Sequence, residues 1–263
     1  MARNSEYLSP AGRPGIARVL AHRGLAESDS GPIADENTIA AFKNALAAGA
    51  DYIESDIQVT KDGVAVLFHD DDLARVASLP QKIADLTWDE LQLVKMPLGS
   101  AIPSLEQALT ELPTARFNLD FKVAGAIAPA AEVINRLGAA PRVLAASFAE
   151  GRRKQAVRLI QGSIAESASS LRMIGLYLTH VLRLSRCFGR LASKVDVLQI
   201  PTRASFMQFA TPGFIGRAHS AGLEVHFWTI NDPEQMRELI LLGADGLVTD
   251  RADLARKVVD SLS

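Results

Sequence analysis

The stretch YIESDIQVTKDGVAVLFHD, residues 52 to 70, sets Glu54 and Asp56 two apart on one extended run and places His69 at the end of the next. Side chains two apart on a strand share a face, so both carboxylates point one way, with an imidazole in reach across a turn. The alternation recurs in RFNLDFK, residues 116 to 122: Phe117, Leu119 and Phe121 face one side, and Arg116, Asn118, Asp120 and Lys122 the other. If the apolar faces pack on helices, Glu54, Asp56, Asp120 and Lys122 share an interior where unpaired charges are costly. Three converging carboxylates describe an oxygen-only site for one hard divalent cation, Mg²⁺ or Ca²⁺, better than a zinc site. The plain alternative is an internal ion-pair network in which Lys122 and Arg116 neutralise them. A second imidazole, His22, ends the run ARVLAHRG beside Arg23 and Gly24. Arginine offers a planar fork to phosphate oxygens, and glycine lets the chain turn. Two imidazoles near a metal and two cationic side chains make an acid/base pair for phosphoryl or glycosyl transfer.

Nine short apolar or β-branched runs could position these groups, at 17–24, 51–60, 64–70, 116–122, 142–148, 160–165, 195–201, 224–231 and 245–250. Helical patterns separate most of them, and alternation of strand and helix implies a parallel sheet. So many strands in 263 residues favour an α/β fold of the TIM type, a (β/α)8 barrel, over an open doubly wound sheet. Thr38, Ser104 with Gln107, and Asp232 with Pro233 and Gln235 read as helix starts; Gly49 and Gly243 read as stops. Between Thr60 and Val64 there is no room for a crossover, so one antiparallel hairpin interrupts the pattern. Asp62-Gly63 as a two-residue turn pairs Lys61 with Val64 and sets Asp56 opposite His69, which is the preferred register. A three-residue loop bulged at Gly63 would instead set Ser55 opposite His69.

The chain carries 28 Lys plus Arg against 30 Asp plus Glu, so its net charge of -2 offers no general field for nucleic acid or an anionic membrane, and any anion must be bound locally. The single cysteine, Cys187, excludes an intramolecular disulfide and reads as a core or inert residue. Residues 1 to 15 are polar and rich in Pro and Gly, read as a short arm without a secretory signal; 16 to 263 form one domain, and a cytoplasmic location is expected. The stretch 171 to 192 combines many apolar residues with Arg172, Arg183, Arg186 and Arg190. Its most apolar window, Leu171 to Leu184, is interrupted by Arg172, Gly175, His180 and Arg183 and is too short for stable membrane insertion. The stretch reads as a barrel helix with a basic outer face or as a peripheral lipid or homo-oligomer contact. Trp228 shares a strand face with His226; Trp228 is assigned to the pocket and His226 to the core. Glu27, Asp29, Asp71, Asp72 and Asp250 read as solvated rim charges.

An ordered set of motifs spans nearly the whole chain: HRG at 22 to 24, ENT at 36 to 38, GAD then IE-x-D from 49 to 56, T-x-DG at 60 to 63 and HD at 69 to 70. IP-x-L-E at 102 to 106, D-x-K at 120 to 122, SF at 147 to 148, WT-x-N at 228 to 231 and DG-x-x-TD at 245 to 250 complete it. In this order they resemble the glycerophosphodiester phosphodiesterases. The resemblance implies that His22 and His69 act as general base and acid. It implies that Glu54, Asp56 and Asp120 bind a divalent metal with Glu36 at or beside it, that Arg23 and Lys122 stabilise phosphate charge, and that Trp228 packs against glycerol. The implied reaction is hydrolysis of a small glycerophosphodiester to glycerol 3-phosphate and an alcohol through a cyclic phosphate. Lysophospholipase D or sphingomyelinase-D-like activity, and a barrel that only binds phosphodiesters, are the rival readings. Asp120 stands where the family often has Glu, Asp35 where it usually has Pro, adding negative charge near the mouth, and the loop after His69-Asp70 departs from the family pattern.

Overall fold

A computed structural model describes residues 6–8 and 16–262. Strands β1 (Arg18–His22) and β2 (Tyr52–Val59) are joined through helix α1 (Ile39–Ala47), and β3 (Ala65–Leu67) folds back on β2. Two short helices, α2 (Ala74–Ala77) and α3 (Trp88–Gln92), precede α4 (Leu105–Glu111). The chain then alternates: β4 (Phe117–Phe121), α5 (Ile127–Arg136), β5 (Val143–Ala146), α6 (Glu150–Leu159) and β6 (Ala165–Glu166). Next come α7 (Ser170–Val181), α8 (Ser185–Ala192), β7 (Val197–Ile200), α9 (Pro212–Ser220), β8 (Glu224–Phe227), α10 (Pro233–Leu242), β9 (Gly246–Thr249) and α11 (Ala252–Ser261).

Eight of these strands pair in parallel in the order β6-β5-β4-β2-β1-β9-β8-β7. A parallel bridge from Ser167 to Val197 draws β6 toward β7, leaving a nearly closed barrel of the TIM type. Two small antiparallel hairpins, Glu27–Ser28 with Gly31–Pro32 and Arg203–Ala204 with Met207–Gln208, decorate it. The apolar alternation does what the sequence indicates: Phe117, Leu119 and Phe121 join Ile53 and Ile57 in the core under the helices. Local signals hold at Thr38, whose side chain accepts from the Ala41 N–H, and at Ser104 and Gln107, which form a reciprocal capping box. Asp232 caps α10 alone, accepting from the Glu234 N–H without a reciprocal bond from Gln235.

Four expectations are corrected. The hairpin pairs Ile57 with Leu67 and Val59 with Ala65, a register that continued outward sets Ser55, not Asp56, opposite His69. Thr60 closes a three-residue loop, its backbone N–H donating to the Val64 carbonyl and its hydroxyl accepting from the Val64 N–H. Gly63 takes the left-handed conformation (φ 88°). The weak run at 160–165 yields only Ala165–Glu166 as strand, and 171 to 192 is two helices, not one. Cys187 is exposed. Of the arm at 1 to 15 only 6–8 lie within the described residues; there Tyr7 is fully buried, its ring centroid 4.7 Å from that of Tyr52.

Candidate active site

The strand ends converge on a cavity of about 280 Å³. Its wall includes His22, Arg23, Glu54, Asp56, His69, Asp120, Lys122 and Trp228, so eight of the nine residues singled out from the sequence meet in one place. Parallel register explains the assembly. His22 pairs with Glu54, Glu54 with Asn118, and Asp56 with Asp120, so the inward faces of β1, β2 and β4 stack their polar groups at one level. In such barrels the C-terminal ends of the strands carry the reacting groups.

The HRG triplet makes a strained exit from β1. Arg23 sits at φ 57°, and its N–H donates to the Glu54 carbonyl at 2.9 Å. Gly24 must be glycine, since a Cβ there would lie 2.7 Å from Ala41. Asn37 binds the same corner: its N–H donates to the Arg23 carbonyl (2.8 Å), and its side chain accepts from the Ser55 hydroxyl (2.6 Å).

Both imidazoles are backed by a carboxylate. His22 Nδ1 lies 2.6 Å from Asp250, and His69 Nδ1 lies 2.6 Å from Asp70. Burial alone would lower the His22 pKa, but the bond to Asp250 and the charge of Glu54 outweigh it and the pKa rises. Asp250 is therefore no free rim charge; Asn231 also donates to it, at 2.7 Å. Arg75, on α2, donates to Asp70 and to Glu36. Glu36 also accepts from Arg23 at 3.1 Å. Two arginines thus hold Glu36, which is not among the cavity-lining residues, and its carboxyl pKa is lowered by them despite burial. Asp35 is likewise no mouth charge: it is buried and accepts from the backbone N–H groups of Leu98 (3.0 Å) and Ser100 (3.2 Å).

Among the three inward carboxylates, Lys122 Nζ bridges Asp56 (2.8 Å) and Asp120 (2.9 Å). The ion-pair alternative is thus realised in part, though Arg116 instead lies over the Tyr52 ring. Glu54 is left out of the bridge. Burial, with the charge of Asp56, pushes its pKa up to about 7. No group of three or more His, Cys, Asp or Glu is arranged to hold a metal ion among the described residues. The donor chemistry nevertheless fits a hard cation. Glu54 is a buried acceptor with weak compensation, the Arg23 backbone N–H at 3.3 Å and His22 Nε2 at 4.0 Å, and Asn118 Oδ1 beside it has no hydrogen-bond partner.

Sequence reasoning missed the rest of the wall. Phe148 stands edge-on to Trp228 with ring centroids 6.1 Å apart, and Gln199 Nε2 is a buried donor without a partner. Arg152 donates to the Ser147 hydroxyl and to the Lys122 carbonyl, fixing the loop after β5 against that after β4. The SF at 147 to 148 was the available signal. His226 is fully buried beneath the cavity, 3.0 Å from Glu224, as a core residue.

Comparison with known proteins establishes the family. The glycerophosphoryl diester phosphodiesterase family matches residues 22–254. A probable glycerophosphodiester phosphodiesterase 2 of Mycobacterium tuberculosis is 38% identical over 254 residues, covering 97% of this chain and 93% of that protein. The crystal structure of a glycerophosphodiester phosphodiesterase from Thermotoga maritima superposes with a TM-score of 0.71 at 26% identity, covering 92% of this chain and 98% of that one. An Oleispira antarctica phosphodiesterase, solved in complex with its product sn-glycerol-3-phosphate, superposes with a TM-score of 0.72 at 21% identity, over 93% and 97% of the two chains. With the family matched from His22 to Leu254, this chain belongs to the glycerophosphoryl diester phosphodiesterase family.

Proposed function

We propose that the chain hydrolyses glycerophosphodiesters to glycerol 3-phosphate and an alcohol, with divalent metal dependence and His22 and His69 as the proton-transfer pair. The observation that carries this reading is the pair of His-carboxylate dyads, His22 with Asp250 and His69 with Asp70, on one cavity that also holds Arg23 and Lys122. With Nδ1 engaged by a carboxylate, each ring keeps Nε2 for the substrate, and at His22 the carboxylate stabilises the imidazolium form.

His22 takes the proton of the glycerol 2-hydroxyl as that oxygen bonds to phosphorus. The bond from phosphorus to the head-group oxygen breaks, and that oxygen takes a proton from His69. The resulting cyclic phosphate is opened by water: His69 removes the water proton as its oxygen bonds to phosphorus. The bond to the glycerol 2-oxygen breaks, and His22 returns the proton there. Arg23 and Lys122 supply positive charge to the non-bridging oxygens, and Trp228 with Phe148 offers an aromatic face to glycerol. Glu54, Asp56 and Asp120 are the residues that would hold a divalent cation, Lys122 giving up part of its bridge. When bound, the cation adds Lewis-acid stabilisation of the phosphate charge.

The test is glycerol 3-phosphate release from glycerophosphocholine and glycerophosphoethanolamine with Mg²⁺, Ca²⁺, Mn²⁺ or EDTA. Metal-dependent release that His22→Ala abolishes is expected. A folded protein that binds these diesters without releasing product under any metal would reassign the barrel to binding alone.

A further inference from the structure

Among the described residues, seven of the fourteen exposed large apolar side chains lie between positions 171 and 206. On α7, Leu171, Ile174, Leu178 and Val181 recur at helical spacing and form one outward stripe, while Met173 and Leu176 take the buried face. Leu182 and Leu184 extend the stripe around the turn into α8, and Phe206, 73% exposed, packs edge-on against Tyr177 of α7. A continuous apolar surface of this kind marks an interaction site rather than scatter.

Charge identifies the occupant. From 167 to 223 the chain holds seven Arg or Lys and a single acid, the buried Asp196, within a protein of net charge -2. Arg183, Arg186 and Arg190 are exposed at the turn and along α8, and Arg183 occupies the left-handed position (φ 56°) where glycine is usual. A second copy related by a two-fold axis would set these cations against themselves. An anionic lipid surface offers phosphates to the arginine forks and acyl chains to the leucines. The surface also leads to the active site. Ser167 and Ala168 line the cavity, and the Ser170 N–H that opens α7 donates at 3.2 Å to the carbonyl of Phe148, a wall residue 58% exposed.

We propose that the outer face of α7, with the arginines of the α7–α8 turn and α8, docks on an anionic lipid surface and brings lipid-borne phosphodiesters to the cavity mouth. Delivery to the site rests on the hydrolase reading; docking does not. The experiment is co-sedimentation of the full chain with phosphatidylcholine vesicles, with and without phosphatidylglycerol, at low and high salt. Binding confined to the anionic vesicles and released by salt is expected. Replacing Arg183, Arg186 and Arg190 together by Ala should weaken it about 100-fold, and Leu178→Ser with Val181→Ser at least about tenfold, with melting temperatures near that of the parent. Failure to sediment, or sedimentation indifferent to lipid charge and to the arginines, overturns the proposal. A concentration-dependent dimer broken by Leu178→Asp, without vesicle binding, assigns the face to a second copy and also overturns it. Sedimentation needs no turnover, so its failure is distinct from failure of the hydrolase reading.

Discussion

Glu224 and Glu54 both face the interior of the same barrel, one at its floor and one at its mouth, and burial acts on both. At the floor Arg18 grips Glu224 with two bonds, Nε at 2.8 Å and Nη2 at 2.7 Å, and His226 adds a third contact at 3.0 Å. Arg18 also donates to the Tyr52 hydroxyl, which donates to the Tyr7 carbonyl. Burial would raise Glu224, but His226 and Arg18 outweigh it and hold its pKa down at about 2. At the mouth the nearest cationic group, His22 Nε2, stays 4.0 Å from Glu54, and burial with the charge of Asp56 prevails, pushing it up to about 7. The same residue type in the same barrel is a finished ion pair at one end and an unfinished site at the other. The difference lies in whether the chain itself supplies the counter-charge.

The largest test removes a working part of the mouth: His22→Ala is expected to lower turnover of a glycerophosphodiester by about 10² to 10⁴-fold, with the floor and the fold unaffected. Arg18→Met makes the floor resemble the mouth, stranding Glu224. It should cost about 3 to 5 kcal/mol in a urea titration, and Glu224→Gln added to it should recover part of that loss. Asp250→Asn leaves His22 in place but removes its carboxylate, and is expected to reduce kcat at least about tenfold while leaving substrate affinity nearly unchanged.

The smallest effect is the sharpest reading of the comparison, the pH dependence of stability without divalent metal. Glu224, depressed in the folded state, contributes stability above its unfolded value of 4.5 that is lost as pH falls toward 2. Glu54, raised in the folded state, keeps its proton while the unfolded chain has lost it, so stability falls as pH rises from 4.5 to about 7. Each limb amounts to about 1 to 3 kcal/mol. Glu224→Gln should flatten the acid limb alone and Glu54→Gln the neutral limb alone. A divalent cation that binds Glu54 should erase the second limb in the parent. Retention of both limbs in both variants would show that the two glutamates are not the groups that differ.

Much of this arrangement was legible in the chain. Strict alternation in RFNLDFK and DYIESDIQ marked which side chains enter the barrel, because a strand has a period of two whatever surrounds it. Capping at Thr38 and Ser104 was equally local. The hairpin register was not, since Asp62-Gly63 suits either a two-residue turn or a bulged loop. Thr60 decided it by bonding to Val64 with both backbone and hydroxyl. From sequence Asp35 reads as a charge near the mouth and Asp250 as a solvated rim charge, because no residue close in sequence points to a partner for either. Their partners, Leu98 and Ser100 for one and His22 for the other, arrive only through the fold.

By itself the amino-acid sequence determined the alternation of strand and helix, the polar inner faces of β2 and β4, and an ordered motif set, all of which depend on neighbours a few residues apart. Which charges are satisfied was decided by tertiary structure alone. Asp250 reaches His22 across 228 residues, Arg18 reaches Glu224 across 206, and Lys122 closes on Asp56 and Asp120 while leaving Glu54 outside the bridge. A buried charge takes its energy from whatever stands within a few ångströms, and closure of the barrel sets those neighbours.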